Sequence, residues 1–278
     1  MAKIRGKTGF LTTLYSINHF ISTFASVQKL SIIIPVFNEQ ATIYDVLVKV
    51  NDVELVQGIQ KEIIVVNDKS SDESAKEVER YLNEFPSNNV QFINHEVNKG
   101  KGGALHTGIK NATGEYTIIQ DADLELDPNE YNIIIAPVLD QSADVVYGSR
   151  FLNQKMQGSK MGKAANAFLT NLSNVVFGTN ITDMETCYKL VPTPIFQSLN
   201  LVEQRFGFEP EITAKLAKLK HLKWQEVPIT YIPRTNEEGK KIGWKDGFRA
   251  IYCILKYGWF TSKKSSVNRG LGEYQTTK

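Results

Sequence analysis

The chain has 278 residues, with 32 lysines and arginines against 30 aspartates and glutamates and a formal net charge of +2. That length suits one large domain with appendages, and the near balance of charge argues against a nucleic-acid partner held by bulk charge. Its two cysteines, Cys187 and Cys253, are too few for a disulfide framework or a cysteine-built zinc site and point to a reducing cytoplasm, while no apolar run reaches the roughly eighteen residues of a transmembrane helix.

The first ten residues carry three basic and no acidic side chains. Phe10, Leu14, Ile17, Ile21 and Phe24 then recur at helical spacing. Two readings stay open for residues 1–29: a helix packed on the domain, or an amphipathic helix lying in a membrane interface. From Leu30 the pattern is regular. Leu30–Pro35 is a β-branched run that reads as a buried strand ending at a turn. Helical spacing over Glu39–Asn51 places Ile43, Val46, Leu47 and Val50 on one face. Lys61–Val66 reads as a second buried strand, followed by the polar loop Asn67–Asp72 and a helix starting near Glu73. Val90–Ile93 is a third strand, Lys99–Gly103 opens a further helix, and Tyr116–Gln120 is a fourth strand. Strands alternating with helices predict βαβ units and a mostly parallel sheet flanked by helices, an α/β fold.

The second half continues with a strand at Val145–Arg150 and helical spacing over Lys163–Phe177. An acidic turn at Ile181–Thr186 runs into a short strand around Cys187–Lys189. A helix is expected over Ile212–Leu219, and Trp224–Ile232 reads as a strand kept at a sheet edge by Pro228. Beyond it Phe248, Ile251, Tyr252, Leu255 and Trp259 share one helical face, with Lys245, Arg249 and Lys256 interleaved. That profile fits an interfacial helix, or equally a helix packed on the domain.

The chemistry concentrates at Asp121-Ala122-Asp123. In extended geometry residues two apart project to one side, and ligands of open α/β sheets bind beyond the carboxyl ends of strands. Two carboxylates there can clamp a hard cation, Mg²⁺ or Mn²⁺, whose remaining positions take phosphate oxygens. The glycines at 100, 102 and 103 lack both the Walker spacing and the G-x-G-x-x-G pattern after the first strand, which argues against a P-loop nucleotidase and a dinucleotide-binding dehydrogenase. They read mainly as a tight start to a helix.

The ordered set Pro35-Val36-Phe37-Asn38-Glu39, Val66-Asn67-Asp68 and Asp121-Ala122-Asp123 resembles the GT-A fold glycosyltransferases of family 2. Gly148-Ser149-Arg150, Asp183 with Cys187-Tyr188-Lys189, Glu226–Ile229, Arg234 and Glu238-Gly239-Lys240-Lys241 resemble the branch of dolichyl-phosphate mannose synthases and polyprenyl-phosphate glucosyltransferases. The resemblance covers roughly residues 30–245. It implies an inverting, metal-dependent hexosyltransferase with a nucleotide-sugar donor, UDP-glucose or GDP-mannose, and a polyprenyl phosphate acceptor. By the same resemblance Pro35, Phe37, Glu39, Val66, Asp68, Asp121 and Ala122 hold the nucleotide sugar, and Asp121, Asp123 and Glu125 hold Mg²⁺ or Mn²⁺. Asp123, Asp183 and Arg150 are the expected catalytic residues, and Arg234, Lys240 and Lys241 the acceptor-phosphate residues. The expected organisation is an amphipathic segment 1–29, a catalytic domain 30–232, a basic loop and amphipathic helix 233–262, and a tail 263–278. The protein is expected at the cytoplasmic face of a membrane, attached peripherally. The alternative is a soluble transferase acting on a glycan or protein hydroxyl, with Asp183 or Glu211 as the base such an acceptor needs.

Overall fold

A computed structural model of the chain describes residues 27–152, 159–234, 244–261 and 266. The expected N-terminal amphipathic pattern, Lys240, Lys241 and nearly all of the expected tail lie outside these residues.

Seven strands form one sheet in the order β3-β2-β1-β4-β6-β5-β7. They are β1 (Lys29–Val36), β2 (Gln60–Asn67), β3 (Val90–Asn94), β4 (Tyr116–Ile119), β5 (Val145–Ser149), β6 (Lys189–Pro192) and β7 (Trp224–Pro228). β1 pairs in parallel with β2 and β4, β2 with β3, and β5 with β7. β6 runs antiparallel to β4 and β5, so its N-terminal end lies at the same sheet edge as their C-terminal ends. Ile32, Ile33 and Ile34 of β1 are fully buried, as a strand covered on both faces requires. β7 is the edge strand foreseen from Pro228, but it stops at that residue. Tyr231 instead bridges to Leu126, which draws the following segment over the end of β4.

The helices are α1 (Ile43–Asp52), α2 (Ser74–Glu84), α3 (Gly100–Asn111), α4 (Tyr131–Leu139), α5 (Lys160–Phe177), α6 (Thr193–Ser198), α7 (Phe208–Ala217) and α8 (Trp244–Trp259). Three differ from their predicted starts. α5 begins at Lys160, three residues before Lys163. α1 begins at Ile43 rather than Glu39, because Glu39 and Thr42 form a hydrogen-bonded turn ahead of it. α7 begins four residues before Ile212 and includes Pro210. A proline in the first turn removes no intrahelical hydrogen bond, and Glu209 and Glu211 there complement the helix dipole. α5 is bounded by Ser159, whose hydroxyl accepts from Gly162 N at 3.1 Å, and by left-handed Gly178 (φ 69°).

Candidate active site

One sheet edge gathers the C-terminal ends of β1, β2, β4, β5 and β7 and the N-terminal end of β6. A cavity of about 400 Å³ opens there. Volumes of this size suit a small-molecule ligand.

Its first flank is built on β1 and β2. Pro35, Phe37, Glu39 and Asp68 line it, and the Phe37 ring is 40% exposed. Asp68 is 2% exposed and accepts from three directions. His95 Nδ1 lies 2.7 Å from Oδ1, Lys99 N donates to Oδ1 at 2.8 Å, and Gly100 N to Oδ2 at 2.6 Å. A carboxylate from β2 thereby caps the start of α3 across the sheet edge, where helix N–H groups have no partner of their own. Gly100 is left-handed (φ 78°), and a Cβ at Gly102 would collide with the carbonyl of Glu203. The glycines therefore serve a tight helix start, as read from sequence, and also let the backbone of residues 203–204 approach. Lys101, between them, points into the cavity. Val66 is absent from the cavity wall: it is fully buried beside Ile64, Ala104 and Ala112. As an inward residue of a strand covered on both faces, its side chain cannot face a ligand.

The second flank holds the acidic pair. β4 ends at Ile119, so Asp121 and Asp123 lie in the turn beyond it, not on an extended strand as the spacing argument supposed. Left-handed Leu124 (φ 59°) tightens that turn. Beneath it Gln120 is fully buried, and its side-chain Oε1 accepts from the Tyr131 hydroxyl at 2.7 Å and the Tyr188 hydroxyl at 2.6 Å. Thr42 Oγ1 donates to the Ala122 carbonyl at 2.6 Å. The turn is thus pinned from below and from the side, and Asp121, Ala122 and Asp123 all line the cavity.

The two carboxylates have opposite electrostatics. Asp121 pairs with Lys101 Nζ at 2.7 Å. Burial alone would raise its pKa, but the Lys101 ammonium outweighs burial and holds it below the usual carboxylate range. Asp123 is pushed up to about 7 by burial first and then by Asp121 and Glu125, against the opposing pull of Arg234. Arg234 forms a fork to Glu39 at 2.8 and 3.2 Å and reaches Asp123 at 3.1 Å. Its backbone N–H donates to Glu125 Oε1 at 2.8 Å. Arg234, expected at an acceptor phosphate, is here the counter-ion of three acidic residues.

The third flank comes from β5, β6 and α7. Arg150 lines the cavity, whereas Asp183 is fully buried and does not. Asp183 accepts from Arg150 N, Nε and Nη2 and from Asn166 Nδ2. With its oxygens so engaged it acts on Arg150 rather than on a substrate, which corrects the direct role expected of it. Glu211 is also fully buried; it accepts from Val202 N and Glu203 N and pairs with Lys215, so it is no candidate base. Sequence reading missed two other carboxylates. Glu185 and Glu209 line the cavity, and each keeps a buried Oε1 without a hydrogen-bond partner. Burial, reinforced by Glu209, pushes Glu185 up to about 7. Glu209 is paired through its other oxygen to buried Lys189 at 2.5 Å. Glu185 sits in the acidic turn 181–186, two residues past Asp183, so the signal was present but ambiguous between the two.

A family model, "Glycosyl transferase family 2", matches residues 31–199, more than half of the chain. The chain belongs to this family. Among curated relatives, an undecaprenyl-phosphate 4-deoxy-4-formamido-L-arabinose transferase of Edwardsiella ictaluri is 27% identical over 220 residues, covering 79% of this chain and 65% of that protein. A dolichol-phosphate mannosyltransferase of Pyrococcus furiosus is 27% identical over 243 residues, covering 83% of this chain and 64% of that protein. The chain therefore spans a little under two thirds of the length of these relatives. Among solved structures, glucosyl-3-phosphoglycerate synthase from Mycobacterium tuberculosis, in complex with Mn²⁺, UDP and phosphoglyceric acid, superposes with a TM-score of 0.65 at 16% identity, covering 86% of this chain and 82% of that one. That likeness shows the GT-A fold in this family 2 chain.

The residues fit a divalent cation by their chemistry. Asp121 and Asp123 offer hard oxygen donors on one cavity wall. Glu125 lines the same wall. Among the described residues the three are not drawn together as one ligand set, because Lys101 holds Asp121 while Arg234 holds Asp123 and Glu125.

Proposed function

We propose that this family 2 chain transfers a hexose, with inversion, from a nucleoside-diphosphate sugar (UDP-glucose or GDP-mannose) to a polyprenyl phosphate at the cytoplasmic face of a membrane. One observation carries the reading. The acidic pair Asp121 and Asp123, the guanidinium groups of Arg150 and Arg234, and the Phe37–Asp68 flank share a single cavity. The activities for which the two curated relatives are named, both polyprenyl-phosphate sugar transfers, support it.

Phe37 and Asp68 would hold the base, and the Asp68 contacts to Lys99 and Gly100 fix that flank before a ligand arrives. Mg²⁺ or Mn²⁺ on Asp121 and Asp123, with Glu125 as a further oxygen donor, would supply Lewis-acid neutralisation of the diphosphate. Arg150 places a fixed positive charge where the leaving group gains negative charge, and its three hydrogen bonds to Asp183 remove the need to reorganise during transfer. A lipid monophosphate, with a second pKa of about 6, is already largely ionised near neutral pH and needs cations rather than a base. Arg234, with Lys240 and Lys241, would supply them once Arg234 leaves its acidic partners. Peripheral attachment would use α8. Its Ala250, Cys253, Ile254 and Tyr257 are buried against the domain, as the packed reading expects, while Phe248, Tyr252 and Trp259 are exposed and would supply the face turned to a membrane. No described helix is long and apolar enough to cross a membrane.

The test follows radiolabel from the nucleotide sugar into the organic phase, with polyprenyl phosphate and Mg²⁺ or Mn²⁺. Asp121→Ala and Asp123→Ala should each slow transfer by about a hundredfold or more. A second reading has its own support in Glu185, a cavity carboxylate pushed up to about 7 and suited to deprotonate a hydroxyl acceptor. Label that enters a glycan or protein in the absence of lipid would establish that reading and sink the first.

A further inference from the structure

Asp68 has almost no acceptor capacity to spare. An ionised carboxylate offers about four acceptor positions, two on each oxygen. On Oδ1 both are filled, by His95 Nδ1 at 2.7 Å and the Lys99 N–H at 2.8 Å. On Oδ2 the Gly100 N–H takes one, at 2.6 Å. Among the described residues nothing takes the second position on Oδ2, and Asp68 lines the cavity.

The carboxylate is also held against turning. The Asp68 backbone N–H donates to the Val36 carbonyl at 2.8 Å, and its own carbonyl accepts from Asn98 Nδ2 at 2.9 Å. Two of the three donors to the side chain are backbone N–H groups of the α3 start. The third, His95, is buried, and Thr107 Oγ1 lies 2.8 Å from its Nε2. Asn98 lines the cavity beside Asp68 and keeps one Nδ2 hydrogen without a partner among the described residues. The flank under discussion for the base therefore offers one acceptor position next to one donor, both set before a ligand arrives.

Bases differ in what they bring to such a wall. Uracil carries one ring N–H, at N3, with a carbonyl on either side of it. That edge matches one acceptor beside one donor. Guanine carries N1–H and the N2 amino group side by side, next to the O6 carbonyl. Two adjacent donors call for both oxygens of a carboxylate. Here the second of them would meet Oδ1, whose positions His95 and the Lys99 N–H already occupy, so donor would face donor. Asp68 is only 2% exposed, which leaves little water to take up the stranded amino group.

We infer that the donor nucleotide is uridine diphosphate rather than guanosine diphosphate, selected by the one open acceptor position of Asp68, with His95 as the positioning residue that closes the other oxygen. The inference deepens the proposed donor reading and rests on it for placing a base at this flank.

The experiment is calorimetric titration of the full chain with UDP, GDP and UDP methylated at N3, each with Mn²⁺ and without lipid. UDP should bind about tenfold or more tightly than GDP, the scale of one buried donor left unpaired. Methylation at N3 removes the only donor of the uracil edge and should weaken UDP by a similar factor. His95→Phe opens one position on Oδ1, while Thr107 keeps the Gly103 carbonyl as a partner at 3.2 Å. The preference for UDP over GDP should then shrink about threefold or more, whereas loss of a merely structural residue would weaken both nucleotides alike. GDP bound as tightly as UDP by the wild type, or N3-methylated UDP bound as tightly as UDP, overturns the inference whether or not the variant folds. An unchanged preference in folded His95→Phe overturns the part given to His95. A chain that prefers GDP and still glycosylates polyprenyl phosphate defeats this inference and leaves the transfer reading standing. One that prefers UDP yet moves no sugar to polyprenyl phosphate upholds it and defeats only the acceptor reading.

Discussion

Arg150 and Asp183 are joined by three hydrogen bonds, from the backbone N–H at 3.1 Å, Nε at 2.7 Å and Nη2 at 2.8 Å. The carboxylate is wholly buried and the guanidinium faces the cavity. The pair sets a planar cation at a fixed place and angle, which is what stabilising a leaving diphosphate requires.

Asp183→Asn removes the charge that Arg150 is held against. It should cost about 2–3 kcal/mol in urea unfolding, because one partner of a buried pair is left uncompensated. Nucleoside-diphosphate affinity should fall with it. Arg150→Lys should weaken binding similarly, since an ammonium cannot reproduce the fork. Normal affinity with slow turnover in Asp183→Asn would instead put the carboxylate at the sugar.

Arg234 competes with any cation for Asp123, Glu39 and Glu125. Arg234→Ala should therefore bind Mn²⁺ about fivefold more tightly, the scale of a partly exposed ion pair, while transferring sugar more slowly. Titration of Mn²⁺ by calorimetry measures the first effect and product formation the second. Weaker Mn²⁺ binding in the variant would contradict the competition.

Gly102→Ala drives a Cβ into backbone atoms, with Gln204 C at 2.8 Å and the Glu203 carbonyl closer still. Backbone cannot swing aside as a long side chain can, so a loss of about 2–3 kcal/mol is expected. Gly247→Ala in α8 meets nothing within 4 Å and should gain up to about 1 kcal/mol from helix propensity. Thermal melts of the two variants should move in opposite directions.

Glu203 ties α8 to the cavity rim. Its carboxylate accepts from Tyr257 at 2.6 Å, Arg249 at 2.6 Å and Lys256 at 3.1 Å, and Arg205 and Phe206 just beyond it line the cavity. Burial opposes ionisation, but these donors outweigh it and hold the group at about 2, below its ordinary 4.5. A depressed carboxylate contributes stability above its unfolded pKa and loses it as pH falls through the folded one. Glu203→Gln should thus be less stable at neutral pH, and the gap should close between pH 4.5 and about 2. A gap independent of pH would show that charge at Glu203 is unimportant.

The periodicity of apolar residues was enough to locate the strands and most helices, because burial on a sheet or one helix face imposes a local, countable pattern. Phe37, Asp68 and Arg150, named from the family resemblance, each follow directly on a strand end, and Asp121 and Asp123 lie in the turn just after β4. Sequence alone could not say which of several nearby carboxylates faces the ligand. Asp183, Glu185, Glu209 and Glu211 are equivalent in composition. Only the packing of β6 and α7 turns Glu185 and Glu209 inward and ties Asp183 to Arg150 and Glu211 to Lys215. Nor could it pair Arg234 with Glu39, 195 positions away. Sequence specifies contacts that repeat along the chain; contacts between distant segments exist only once the sheet has set their order.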